Sequence, residues 1–265
     1  MDLQLNGKRA LVTGGSRGIG RAIARTLAEE GARVVIAARN AEAVEAAARE
    51  LAAGGHEVLG MAADTTDEAS VAALAARIDR EMGGLEILVN AAARPGAPPV
   101  IPGAAGVDTV AVLEDFNTKV LGYLRVARSV SPLLVRGGWG RIVNICGLAA
   151  RLTGSIPGSM RNAAVVALTK ELADELGPQG VNVTVVHPGP TRTERTAATI
   201  EKKAEDAGVS LAEAERLLFG GSLIGRIVEA EEIAAIVAFL ASPKSAAING
   251  DGIAAGGGTP RSIYY

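Results

Sequence analysis

The sequence predicts an α/β fold built on a parallel sheet, and three observations predict it. Short runs rich in Val, Ile, Leu and Ala recur along the chain without strict alternation, the pattern of strands buried on both faces. Segments with helical spacing lie between them, as crossovers between parallel strands require. A glycine-rich turn follows the first run directly and opens a helix.

Taken in order, KRALVT (8–13) is the first strand, and TGGSRGIGRAIARTLAEEGA carries Gly14, Gly18 and Gly20 between it and an amphipathic helix. RVVIAA (33–38) and EVLGMA (57–62) are the next two strands. Thr65, with Glu68 three residues on, forms a capping-box pattern before DEASVAALAARIDREMG, a helix that ends at Gly83 and Gly84. EILVN (86–90) is the fourth strand. RPGAPPVIPGAAG (94–106) is too long and too rich in Pro and Gly for a simple connector; it reads either as a mobile wall beside a pocket or as an unstructured surface loop. Long helices at 107–136 and 158–176 flank RIVNIC (141–146), and VNVTVV (181–186) follows. Residues 194–221 are helical in pattern, with charges mostly on a solvated face, and GIAA (252–255) adds a seventh strand at the sheet edge. No linker and no short repeat interrupts the chain, so residues 1–265 form one domain.

Composition excludes several classes. With a formal net charge of -2 and no Lys/Arg stretch interleaved with aromatics, nucleic acid is not expected as a partner. Aromatics are only 3% of residues and Gly numbers 33, which suits close packing of helices on a sheet. No signal-peptide pattern or membrane-length apolar run occurs, which predicts a cytoplasmic protein with no membrane partner. Cys146 is the sole cysteine, and His56 and His187 are the sole histidines, so neither an intrachain disulfide nor a metal site is expected.

A glycine triplet between a buried strand and a helix permits a tight turn, close approach of a pyrophosphate and dense helix packing. Its spacing here is GxxxGxG rather than GxGxxG. Across nearly its whole length the chain resembles the short-chain dehydrogenase/reductase family. TGGSRGIG resembles that family's TGxxxGIG, Asp64 its adenine contact after the third strand, NAA (90–92) its NAG, and HPGPTRT (187–193) its PG loop beside the nicotinamide. The resemblance implies a single-domain Rossmann fold, a doubly wound seven-stranded parallel sheet with helices on both faces. It further implies cofactor contacts from Gly14, Ser16, Arg17, Gly18, Ile19 and Gly20, from Arg39 and Asn40, and from Asp64 and Thr65. Asn90, Ala91, Ala92 and Asn162 follow, with Pro188, Gly189, Thr191 and Thr193 near the nicotinamide. Residues at about 191–226 would form a helical lid over a small-molecule substrate, and the two long helices with the AINGDGIAAGGG tail would pair subunits in a homotetramer.

The second strand ends in Ala38, Arg39 and Asn40, where an NAD enzyme places an acid on the ribose 2'-hydroxyl. Arg39 and Arg17 instead suit a 2'-phosphate. The cofactor expected is therefore NADP(H), with NAD(H) as the alternative.

The family's catalytic pattern is where the resemblance breaks. Its members carry Tyr-x-x-x-Lys at the start of the helix after the fifth strand, a Ser at the end of that strand and an Asn one helix earlier. Here alignment puts Gly158 at the Tyr position and Asn162 at the Lys position, and the Ser falls on Gly147 or Cys146. No Tyr occurs between Tyr123 and Tyr264, and no Lys between Lys119 and Lys170. For the Asn position, Asn117 fits by residue type, whereas counting back from Gly122 and Pro132 reaches Lys119. In the second case Lys and Asn have exchanged places, and Lys119 with Asn162 would serve one site. The candidate catalytic residues are thus Lys119, Asn162, Cys146 and Ser159; His187 reads as a packed strand-end residue, and Tyr264 and Tyr265 as a tail able to reach a neighbouring subunit. The expected activity is NADP(H)-dependent hydride transfer between nicotinamide and a carbonyl or alcohol carbon. The rivals are a cofactor-binding protein without redox turnover, serving as sensor or partner subunit, and non-redox lyase or isomerase chemistry on the same scaffold.

Overall fold

Apolar runs at regular intervals leave the chain one economical arrangement, strands side by side with helices over both faces. The computed structural model describes residues 1–93 and 103–261. Its strands are β1 (Arg9–Thr13), β2 (Arg33–Ala38), β3 (Val58–Ala62), β4 (Ile87–Asn90), β5 (Gly140–Ile145), β6 (Val181–Pro188), β7 (Thr191–Arg192), β8 (Val228–Glu229) and β9 (Gly252–Ala255). Seven of them form one parallel sheet in the order β3-β2-β1-β4-β5-β6-β9, while β7 and β8 pair separately. Every expected strand is present, and β2 and β9 span the expected residues.

The helices are α1 (Gly18–Glu29), α2 (Ala41–Ala52), α3 (Glu68–Met82), α4 (Thr109–Phe116), α5 (Gly122–Arg136), α6 (Ile156–Leu176), α7 (Thr196–Ala207), α8 (Leu211–Phe219) and α9 (Ala230–Leu240). Alternate strand residues face opposite ways. Ala10 and Val12 therefore join a core with Ile23 and Leu27 of α1, Val44 of α2 and Val237 of α9. Leu11 joins another with Ile78 of α3, Leu134 of α5 and Leu176 of α6. Each such Val, Leu or Ile side chain, fully buried, contributes ~1.5–3 kcal/mol. The sheet is thus doubly wound, and its strand order reverses between β1 and β4, where the carboxyl ends of the strands leave a crevice.

Three local details differ from expectation. The cap of α3 is Asp67, whose carboxylate accepts from Ala69 N and Ser70 N, rather than Thr65. Glu68, freed from a capping box, accepts from Arg125 Nε at 3.2 Å instead. The helix still ends at Gly83, whose φ of 74° suits a residue without a Cβ. The long helix expected at 107–136 is α4 and α5 joined by a π-helical turn at Asn117–Leu121. The next begins at Ile156, capped by the Ser155 hydroxyl accepting from Gly158 N at 3.1 Å.

The segment at 194–221 is helical as expected, split into α7 and α8 by Gly208 with φ 63°. Of the wall-or-loop segment at 94–106, residues 94–102 lie outside the described residues, as do Tyr264 and Tyr265. No described helix is long and apolar enough to cross a membrane, and no described cluster of His, Cys, Asp or Glu could hold a metal ion.

Candidate active site

The site begins where β1 turns into α1. Gly14 has φ 69°, and a Cβ there would lie 2.8 Å from Ala91 O; a Cβ on Gly20 would lie 2.4 Å from Gly14 O. Only glycine lets this turn press against the chain after β4 while keeping its backbone open. Arg17, at the helix N-cap, offers no side-chain acceptor to the first turn of α1. A cleft of about 890 Å³ runs from this turn along the carboxyl edge of the sheet.

Most of the expected cofactor residues meet there. Gly14, Ser16, Arg17, Gly18, Ile19 and Gly20 line it from the turn, Arg39 and Asn40 from the end of β2, and Asp64 and Thr65 from the end of β3. Ala91 and Ala92 follow β4, and Pro188, Gly189 and Thr193 follow β6. Asn40 also caps α2, its Oδ1 accepting from Ala43 N at 2.8 Å. Burial alone would raise the Asp64 carboxyl. Hydrogen bonds from Thr66 N and Thr66 Oγ1, at 2.9 and 2.8 Å, with Arg39 and Arg125 nearby, hold it below the usual carboxylate range.

Three of the expected cofactor residues do not line the cleft. Asn90 is fully buried and donates through Nδ2 to Asn144 Oδ1 at 3.0 Å, and Asn144 donates in turn to Thr169 Oγ1 at 2.9 Å. That chain braces β4, β5 and α6. Thr191 turns its hydroxyl back to Gly189 O at 2.9 Å, supporting the loop rather than facing the cleft. Asn162 stands behind the wall, 2% exposed, and acts on its neighbours.

At the far end of the cleft Lys119 is 3% exposed, an unusual place for an ammonium. It sits on the π turn, whose extra residue per turn alters where side chains project. Its Nζ donates to Cys146 O at 2.9 Å and Asn162 Oδ1 at 3.1 Å. Burial draws its pKa down to about 8; Arg161 adds to the lowering, and Cys146 and Asp115 oppose it. Asn117, the alternative by residue type, points elsewhere, its Oδ1 accepting from Arg125 Nη2 at 2.7 Å.

Cys146 also lines the cleft, donating through Sγ to Asn162 O at 3.3 Å, and burial pushes its thiol up. Ser159 does not reach the cleft. Its hydroxyl donates to Leu152 O at 3.0 Å, because the first turn of α6 rotates it toward the chain before that helix. His187 is 1% exposed, with Nδ1 3.3 Å from Gly147 O, and burial pushes its pKa down, as suits a packed strand-end residue.

Sequence reasoning missed Tyr123, Glu194 and Arg195, which also line the cleft. Tyr123 is four residues beyond Lys119, a spacing that in an unbroken α-helix would put both on one face, although the π turn intervenes. Its hydroxyl donates to Ile145 O at 2.9 Å, and burial raises its pKa well above the ordinary tyrosine value. Glu194 and Arg195 directly follow the PG loop, in a segment whose charges the sequence pattern places mostly on a solvated face. Just before them, Arg192 pairs with Glu215 of α8 and, at 3.0 Å, with Glu229 of β8.

Comparison with known proteins matches residues 8–204 to the family described as short chain dehydrogenase. The chain is 32% identical over 260 residues to the NADPH-dependent reductase BacG of Bacillus subtilis, covering 97% of this chain and 99% of that protein. Among solved structures, L-sorbose reductase from Gluconobacter frateurii, complexed with NADPH and L-sorbose, matches with a TM-score of 0.90 at 27% identity, covering 99% of this chain and 100% of that one. YwfH, an NADPH dependent reductase involved in bacilysin biosynthesis, matches with a TM-score of 0.86 at 30% identity, covering 97% and 100%.

Proposed function

This chain belongs to the short-chain dehydrogenase family, and on that premise we propose an NADP(H)-dependent oxidoreductase in which Lys119 handles the proton. Its reaction moves a hydride between nicotinamide and a carbonyl or alcohol carbon of a small molecule. One observation carries the assignment, the ammonium of Lys119 buried in the wall of the cleft.

The cleft fits a dinucleotide. Gly14 and Gly20 admit no side chain against the neighbouring backbone, which keeps the turn tight beside the cleft, and the start of α1 has no cap from its own N-cap residue. Arg17 and Arg39 line the end where a 2'-phosphate would lie, and Ala38 offers no carboxylate to a 2'-hydroxyl. Relatives that use NADPH support the same preference. Nicotinamide bound there supplies or accepts the hydride.

The protein's part is to orient the substrate and manage charge on its oxygen. Cys146 O and Asn162 Oδ1 accept two of the three ammonium protons of Lys119, leaving the third to polarise a substrate oxygen and deliver a proton to it. Asn162 is a positioning residue that touches the site through Lys119. In this reading Gly158 and Asn162 occupy the family's Tyr and Lys positions, and the positive charge has moved from α6 to the π turn. Tyr123 does not replace the missing acid, because its proton is committed to Ile145 O. Residues 191–226 serve as the substrate lid, tethered through Arg192.

The functional unit we propose is a homotetramer. Exposed apolar side chains, Leu121 just before α5, Leu124 within it, and Ile156 and Met160 on α6, support that assembly.

Titration with NADPH and NADH, followed by a screen of simple ketones and aldehydes, tests the reading. NADPH should bind more tightly and at least one carbonyl should be reduced. Tighter NADH binding would overturn the cofactor preference, and firm NADPH binding without turnover on any carbonyl would favour the non-redox alternative.

A further inference from the structure

The first backbone donor of α1 already has an anionic partner. Gly18 N donates to Glu194 Oε2 at 3.1 Å, a contact that spans the cleft between the glycine turn and the chain after the PG loop. Thr193 lies over the same glycine, with its Cγ2 3.6 Å from where a Gly18 Cβ would be. A helix N-terminus favours negative charge because its first N–H groups lack partners within the helix. Glu194 meets that need from a distant part of the chain, and it lines the cleft beside Arg195.

We propose that Glu194 is an internal competitor of the cofactor pyrophosphate. Its carboxylate holds the Gly18 N–H that a dinucleotide would use, so it sets cofactor affinity and couples cofactor loading to movement at the base of the lid. The inference rests on the dinucleotide reading of the cleft. Two anions on one donor repel, so the pyrophosphate takes the N–H only when Glu194 withdraws. Arg192, two residues earlier, is paired with Glu215 and Glu229, which anchors the chain on that side. The displacement is therefore confined to Thr193, Glu194, Arg195 and the start of α7.

Two variants separate charge from shape. Glu194→Gln keeps the size and an acceptor oxygen while removing the charge, and Glu194→Ala removes both. NADPH affinity is measured by fluorescence titration, with 2'-AMP as a control that lacks the pyrophosphate, and Gly18 amide exchange is followed in ligand-free protein. NADPH should bind about threefold more tightly to both variants, the scale of removing one exposed charge from a helix N-terminus. Binding of 2'-AMP should be unchanged, and the Gly18 amide should exchange faster in Glu194→Ala. NADPH affinity that is unchanged or weaker in both variants, or equal tightening of 2'-AMP, overturns the proposal while leaving the cofactor reading intact. No NADPH binding in any form sinks the cofactor reading and this inference with it.

Discussion

Carbonyl reduction by this protein should fall tenfold per pH unit on the alkaline side of about pH 8, the value to which burial draws Lys119. The direction follows from the chemistry: reduction consumes a proton, and only the ammonium form carries one. With a pKa of about 8, roughly nine-tenths of Lys119 is protonated at pH 7 and roughly one-tenth at pH 9. Alcohol oxidation needs the neutral amine and should rise over the same range. Lys119→Met removes the donor and should lower kcat/KM by about 10²–10⁴-fold, ~3–5 kcal/mol of barrier. Lys119→Arg keeps a charge at every pH and should abolish the alkaline limb whatever rate remains. Asn162→Ala withdraws an acceptor that favours the ammonium, so its limb should move to lower pH, a shift that a purely structural role would not produce. NADPH oxidation followed by absorbance across buffers of constant ionic strength gives all four profiles. Brisk turnover by Lys119→Met, with the same alkaline limb, would show that another group moves the proton.

Stability should respond to the same residue. Lys119 titrates near 8 when folded against an ordinary 10.5, so between those values the unfolded chain binds the extra proton and rising pH favours the fold. Relative to Lys119→Met, the wild type should gain about 3 kcal/mol of unfolding free energy from pH 7 to pH 10.5, read from denaturant melts; an unchanged difference would contradict the burial argument. Arg39→Asp should weaken NADPH binding by about tenfold or more and narrow the gap to NADH, and titrations showing no change would remove Arg39 from the phosphate site. Gly14→Ala should cost about 1–3 kcal/mol and impair cofactor binding, because the new Cβ meets Ala91 O at 2.8 Å on a backbone with φ 69°; thermal melts with and without NADPH decide it. Light scattering at micromolar concentration should report a tetramer, and a monomer would remove the role assigned to the exposed faces of α5 and α6.

The strands, their parallel sheet and the glycine-turn half of the cleft are legible in the residues alone. Buried strands announce themselves as continuous apolar runs, and glycines at 14, 18 and 20 mark a turn whose backbone must come close to something. These are local signals, each carried within a few neighbouring residues. Asp67 as the cap of α3 was equally local but was obscured by the competing Thr65–Glu68 pattern. The arrangement around Lys119 depends on tertiary structure. Counting back from Gly122 and Pro132 reaches Lys119 from the sequence; what the fold adds is the π turn, on which Lys119 lines the cleft while Asn117 accepts from Arg125. That Lys119 is anchored by Asn162 and the carbonyl of Cys146, while Ser159 is spent on Leu152 O, depends on how α5, α6 and β5 pack together. Glu194 shows the limit most clearly. Read along the chain it is one charge in a polar helical segment; only the fold brings it to Gly18, because a partner 176 residues away is chosen by the closing of the sheet and not by any pattern around it.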